Sequence, residues 1–87
     1  IGTVREDVFI PDLDVVLEAK CTRDSMTLKK LIEEIEADIV HYQEKNIFFY
    51  VYDKKKIIKE IKNFNDYFNK QFDRKTVKLF VLQPVKL

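Results

Sequence analysis

Residues 47–52, Ile-Phe-Phe-Tyr-Val-Tyr, form an unbroken apolar and aromatic run. It is too short for a helix of ordinary length and reads as a central strand buried on both faces. Segments with helical periodicity flank it. Over 24–43, Leu28, Leu31, Ile32, Ile35, Ile39 and Tyr42 recur at a spacing of ~3.6, with Asp24 or Ser25 as a cap. Over 56–72 the stripe is Ile57, Ile61, Phe64, Phe68 and Phe72. Two strand-like segments come first, 4–10 and 15–22, separated by Pro11-Asp12-Leu13-Asp14, which has turn chemistry. A last strand at 76–82 stops before Pro84. The order is β-β-α-β-α-β. Strand–helix–strand units join parallel strands by right-handed crossovers. The expected fold is therefore α/β, with a mixed sheet that opens on an antiparallel hairpin and is covered by helices.

With 87 residues the chain is one domain, 1–87, and has volume for one core. A composition 46% apolar and 36% charged argues against disorder. No apolar run approaches the ~20 residues a membrane helix needs. Cys21 has no partner for an intrachain disulfide, which points to a reducing, cytoplasmic setting. The chain begins at Ile1 rather than Met, so it is expected to be cut from a longer protein. The expected partner is the remainder of that chain or a second copy, since an exposed sheet edge invites strand pairing. Residues 1–44 carry five Lys or Arg against eleven Asp or Glu, whereas 45–87 carry eleven against four. This asymmetry reads first as two differently charged solvated faces, and secondly as an acidic site beside a basic surface.

The hairpin holds the chemistry. A four-residue turn at 11–14 opposes Ile10 to Val15, Phe9 to Val16, Val8 to Leu17, Asp7 to Glu18 and Arg5 to Lys20. Alternation along a strand puts Asp7, Glu18 and Lys20 on one face. Opposed side chains stand ~5 Å apart, and two carboxylates there repel by ~3 kcal/mol at an effective dielectric of ~20. Two devices offset that: a bound divalent cation, or a cross-strand ion network through Arg5 and Lys20. Lys20 is also placed to orient a metal-bound water or meet developing negative charge. Asp, Glu and Lys in this geometry make a compact kit for hydrolysing phosphodiesters.

These residues resemble the metal-site hairpin of the PD-(D/E)XK nuclease superfamily, the restriction-endonuclease-like fold, and in particular the DpnII/MboI-type prokaryotic endonuclease domains. The similarity is carried by Arg5-Glu6-Asp7 and Glu18-Ala19-Lys20-Cys21-Thr22-Arg23, followed by Glu34, Asp38-Ile39-Val40-His41-Tyr42 and Tyr52-Asp53. It implies an endonuclease acting on DNA, using Mg²⁺ with Mn²⁺ as a substitute, in a restriction or defence setting. It makes Asp7 and Glu18 metal ligands, adds the Ala19 carbonyl, and makes Lys20 the catalytic lysine. Asp12 is the literal Pro-Asp of the family but falls in the turn, so Asp7 is preferred and Asp14 is the fallback. The resemblance also implies an upstream helix and strand that this sequence lacks. A non-catalytic nucleic-acid-binding or oligomerisation domain with the same fold is the alternative.

Thr22 and Arg23, at the start of the first helix, are candidates for contacting nucleic-acid phosphates. Glu34 is an accessory candidate, since its helix packs on the sheet that carries the hairpin. Glu34, Asp38 and His41 share a helix flank, which reads as a solvated acidic edge or a second metal site. Lys55, Lys59, Lys62 and Lys70 form a stripe on the back of the second helix, either a solvated face or a polyanion surface. Tyr50 and Tyr52 are expected in the core, leaving no platform for stacking bases, and Cys21 is expected to point into the core. A single Gly rules out a glycine-rich phosphate loop.

Overall fold

A computed structural model describes residues 7–72 and 74–85. Strand β1 (Asp7–Ile10) leads through a 3-10 turn at Pro11–Leu13 into β2 (Val15–Cys21). Helix α1 (Leu28–His41), β3 (Asn46–Tyr52), helix α2 (Ile61–Phe68), β4 (Gln71–Phe72) and β5 (Lys75–Leu82) follow. The sheet order is β1-β2-β3-β5-β4, with β1 and β4 antiparallel to their neighbours and β2, β3 and β5 parallel. The expected alternation and the opening hairpin are thus present, with the two-residue β4 added. Expected residues 4–6 of the first strand, Arg5 among them, lie outside the described residues.

Both crossovers step in the same direction across the sheet. With the right-handed rule this places α1 and α2 on one face. The core lies there: Val16, Ile47, Phe49, Val51, Val77 and Leu79 from the strands meet Leu31, Ile35 and Ile39 of α1 and Phe64 and Phe68 of α2. The other face is open. Strand β3 is therefore not buried on both sides as its composition suggested. Ile47, Phe49 and Val51 are buried, while Tyr50 is 49% and Tyr52 39% exposed. Tyr50 stacks on Phe80 of β5 at 5.2 Å between ring centroids. Cys21 faces this open side too and is exposed, not in the core.

Both helices are shorter than their periodicity suggested, because local hydrogen bonds intervene. Ser25 sits at a left-handed φ of 64°, which a helix cannot include. Thr27 becomes the N-cap, its side chain accepting from the Lys30 N–H at 3.1 Å. Asp24, freed from capping, pairs with Lys55. Before α2, the backbone N–H groups of Ile57 and Ile58 are taken by the Asp53 carboxylate, and Lys56 adopts a φ of 54°. Those bonds hold 54–58 as a turn. At the other end, Asn69 Oδ1 accepts the Leu79 N–H at 2.6 Å and ties the helix exit to β5. The expected lysine stripe is broken up accordingly: Lys55 and Lys59 precede the helix, Lys62 pairs with Asp66 at 2.7 Å, and Lys70 lies over Tyr67.

Lys75 fastens α1 to the sheet. Its ammonium donates to the Ile39 carbonyl at 2.6 Å and to the Tyr42 carbonyl, groups left unpaired by the end of the helix. That anchor fixes where the last turn of α1 stands above the hairpin.

Candidate active site

The β1–β2 register opposes Asp7 to Glu18, Val8 to Leu17, Phe9 to Val16 and Ile10 to Val15. Glu18 and Lys20 project to the helix-covered face with Val16. Glu18 is 1% exposed, buried more deeply than an unpaired carboxylate tolerates. The Lys20 side chain is 10% exposed.

Helix α1 supplies what surrounds them. Glu34, Asp38 and Tyr42 follow one another at four-residue intervals and so lie along one flank of the helix. The Tyr42 ring is packed in the core, edge-to-face with Phe9 at 6.2 Å, and its hydroxyl donates to Glu18 Oε1 at 2.8 Å. The Lys20 ammonium lies 2.7 Å from Asp38 Oδ2, 3.7 Å from Glu18 Oε2 and 3.8 Å from Glu34 Oε1. Glu34 in turn accepts from the Arg23 guanidinium at 2.7 Å. His41 is exposed, its ring 5.8 Å from that of Tyr42 between centroids.

Burial pushes the Glu18 carboxyl up to about 7, and its hydrogen bond with Asp38 adds to the rise; the Tyr42 hydrogen bond and the Lys20 charge act the other way. The Tyr42 phenol is pushed well up, by burial first and then by its hydrogen bonds to Glu18 and Asp7. It therefore stays a donor at any working pH. Asp7 Oδ1 is buried and accepts no hydrogen bond among the described residues. Glu18, Asp38 and Glu34 set three carboxyl groups within 4 Å of the Lys20 ammonium, and Asp7 stands opposite Glu18, an excess of negative charge that a proton or a cation relieves. Among the described residues no three His, Cys, Asp or Glu side chains converge to hold an ion by themselves. Two carboxylates suit Mg²⁺ better than they suit a metal needing a closed protein cage, because Mg²⁺ keeps several waters.

The family model REase_DpnII-MboI matches residues 1–84. The chain belongs to the DpnII-MboI restriction endonuclease family. No curated protein and no solved structure matches it significantly. Membership gives this chain a nuclease-type fold and a nuclease-type function at the level of the family. The β1–β2 hairpin with its α1 cover is where the family resemblance and the unusual electrostatics coincide.

The remaining family-patterned positions of this restriction endonuclease relative divide into exposed and structural ones. Arg23 is half exposed at the mouth of a cleft of about 1080 Å³ that Lys20, Glu34 and Asp38 also line. Thr22 is 2% exposed. Its hydroxyl donates to Asp53 Oδ1 at 3.1 Å and accepts the Lys55 N–H at 3.0 Å, so it is occupied by the fold rather than turned to a ligand. Asp14 stands in the hairpin turn at φ 53°, and its carboxylate accepts the Lys45 N–H at 3.1 Å, away from Glu18. Ala19 turns its side chain to the open face and pairs with Tyr50 in the parallel ladder.

Asp53 and Tyr42 are the polar groups whose partners periodicity alone placed poorly. The buried Asp53 carboxylate also accepts from Gln83 Nε2 at 2.8 Å, so it ties the ends of β2, β3 and β5 together. Tyr42 belongs to the apolar stripe by spacing, and only its hydroxyl signals a second task. The four-residue step from Asp38 to Tyr42 was the available clue.

Proposed function

We propose that the chain is the hydrolytic domain of a metal-dependent endonuclease that cleaves phosphodiester bonds in DNA. One observation carries the reading: Asp7 and Glu18 face each other across the hairpin, with Lys20 two residues further along the same face. Asp7 Oδ1, which accepts no hydrogen bond among the described residues, and the upward-shifted Glu18 fit a hard divalent cation, which would satisfy the first and draw the proton off the second. Asp7, Glu18 and the Ala19 carbonyl would hold Mg²⁺ or Mn²⁺. When bound, such an ion polarises a phosphate and makes a water more acidic. Of the chain's own groups, Lys20 meets developing negative charge and orients the attacking water. Arg23 binds a neighbouring phosphate from the cleft mouth, and Tyr42 keeps Glu18 in place. A cytoplasmic restriction or defence role, and a second copy or further chain as partner, accord with this reading.

Titration calorimetry with Mn²⁺ or Mg²⁺ and a plasmid-nicking assay test it together. One saturable site and metal-dependent nicking are expected, with both lost in Asp7→Asn. No binding and no nicking would sink the reading.

The open sheet face favours a second reading, a nucleic-acid-binding or oligomerisation domain that has kept the fold. Tyr50, Tyr52, Phe80 and Leu82 are exposed together there, a patch of the kind that marks interaction surfaces. This reading expects no metal site in the same titration.

A further inference from the structure

We propose that Asp38 is a positioning residue, which holds the Lys20 ammonium over Glu18 and fixes it for the reaction; the proposal rests on the endonuclease reading above. Among the described acidic groups, Asp38 alone contacts Lys20 at 2.7 Å, while Glu18 and Glu34 stand at 3.7 and 3.8 Å. Asp38 is 8% exposed although it lies on a helix whose other flank is solvated.

Stability does not explain such a pair. Taking two charges out of water costs about as much as their attraction returns, and apolar replacements of buried pairs are often neutral or stabilising. A lysine stem is long and rotamer-rich, so a free Lys20 would spread its ammonium over many positions. Asp38 removes that spread before substrate arrives. One helical turn later, Tyr42 grips Glu18 Oε1 from the same flank. Helix α1, itself anchored by Lys75, thereby sets the lysine and the carboxylate relative to each other. Asp38 touches neither the phosphate nor the water in this scheme; it acts through Lys20, and its hydrogen bond with Glu18 holds the carboxyl beside that ammonium.

Two measurements on the intact protein test this: acylation of each lysine by a limiting anhydride, read by mass spectrometry, and steady-state cleavage. In Asp38→Asn, Lys20 labelling is expected to rise several-fold relative to Lys59, an exposed internal reference. The turnover number is expected to fall ~10–100-fold with KM within ~3-fold of wild type, the mark of lost positioning rather than lost binding. Asp38→Glu, which keeps the charge, is expected to restore part of both and guards against a folding defect in the Asn variant. Unchanged Lys20 labelling in Asp38→Asn overturns the proposal whatever the activity. So does equal loss in the Glu and Asn variants with the fold intact by circular dichroism. If the wild type cleaves nothing but shows the same labelling contrast, the endonuclease reading falls while the Asp38–Lys20 restraint stands.

Discussion

The Tyr42 hydroxyl donates to Glu18 Oε1 at 2.8 Å, joining the last turn of α1 to a carboxylate that is almost fully buried. Tyr42→Phe keeps the ring in the core and removes only that donor. Leaving a buried acceptor without its partner costs ~1–3 kcal/mol. Tyr42 also pulls the Glu18 carboxyl down, so without it the carboxyl shifts further up. Urea denaturation in EDTA is expected to show the Phe variant weaker at pH 8, and nearer to wild type at pH 5, where Glu18 is protonated in both. An equal loss at both pH values would mean that the hydroxyl serves packing and not the carboxylate.

Glu18 itself gives the larger pH effect. Its carboxyl moves from 4.5 to about 7 on folding, so the folded state disfavours its ionisation. That penalty is absent below pH 4.5, grows as pH rises toward 7, and is then constant. A shift of that size corresponds to ~3 kcal/mol. Glu18→Gln in EDTA is therefore expected to melt higher than wild type at pH 8, by on the order of 10 °C for so small a domain, and close to wild type at pH 4. Mg²⁺ is expected to raise the wild-type melting point and leave the Gln variant unmoved. A Gln variant less stable at pH 8 would refute the burial argument.

How far these features could be read from sequence differs by feature. The hairpin register was legible because a four-residue turn with Pro and Asp leaves only one pairing that puts Phe9 beside Val16 and Asp7 beside Glu18. The order of strands and helices was legible from periodicity. The helix ends were not, because Thr27 and Asp53 compete for backbone N–H groups, and a side chain reaching its own backbone overrides the apolar repeat. Nor was the open sheet face. Tyr50 and Tyr52 have the composition of a doubly covered strand, and only the shared hand of both crossovers reveals that, among the described residues, no helix covers that side. Within the site, Glu18 and Lys20 could be paired by alternation along one strand. Asp38 and Tyr42 reach them across a tertiary contact that no local pattern encodes.

Asp53 gives a pH effect of the opposite sign. Burial pushes its carboxyl up, but hydrogen bonds from Gln83, Ile58, Ile57 and Thr22 outweigh it and leave the group below the usual 3.8. A depressed carboxyl contributes stability above 3.8 and loses it as pH falls through the lower folded value. Asp53→Asn sets an amide against those donors and is expected to cost at least ~2 kcal/mol at pH 7. Chemical denaturation from pH 7 down to pH 2.5 checks this, the gap to wild type narrowing at the acid end. A constant gap would assign the loss to shape alone.

Lys20 separates chemistry from folding. Its ammonium is one charge among three carboxylates, so removing it leaves Glu18 and Asp38 facing each other without compensation. Breaking a buried pair from one side costs ~3–5 kcal/mol. Lys20→Met keeps the packed stem and removes the charge. In EDTA at pH 8 it is expected to lower the melting point by at least about 10 °C, and by less at pH 5, where Glu18 carries its proton. With saturating Mg²⁺ much of that stability is expected to return, since the ion supplies the missing positive charge, whereas plasmid nicking stays at least ~100-fold below wild type. Stability restored without activity is the signature of a lysine that acts in the reaction. If nicking recovers along with the melting point, Lys20 is part of the scaffold and the hydrolytic role passes to another group.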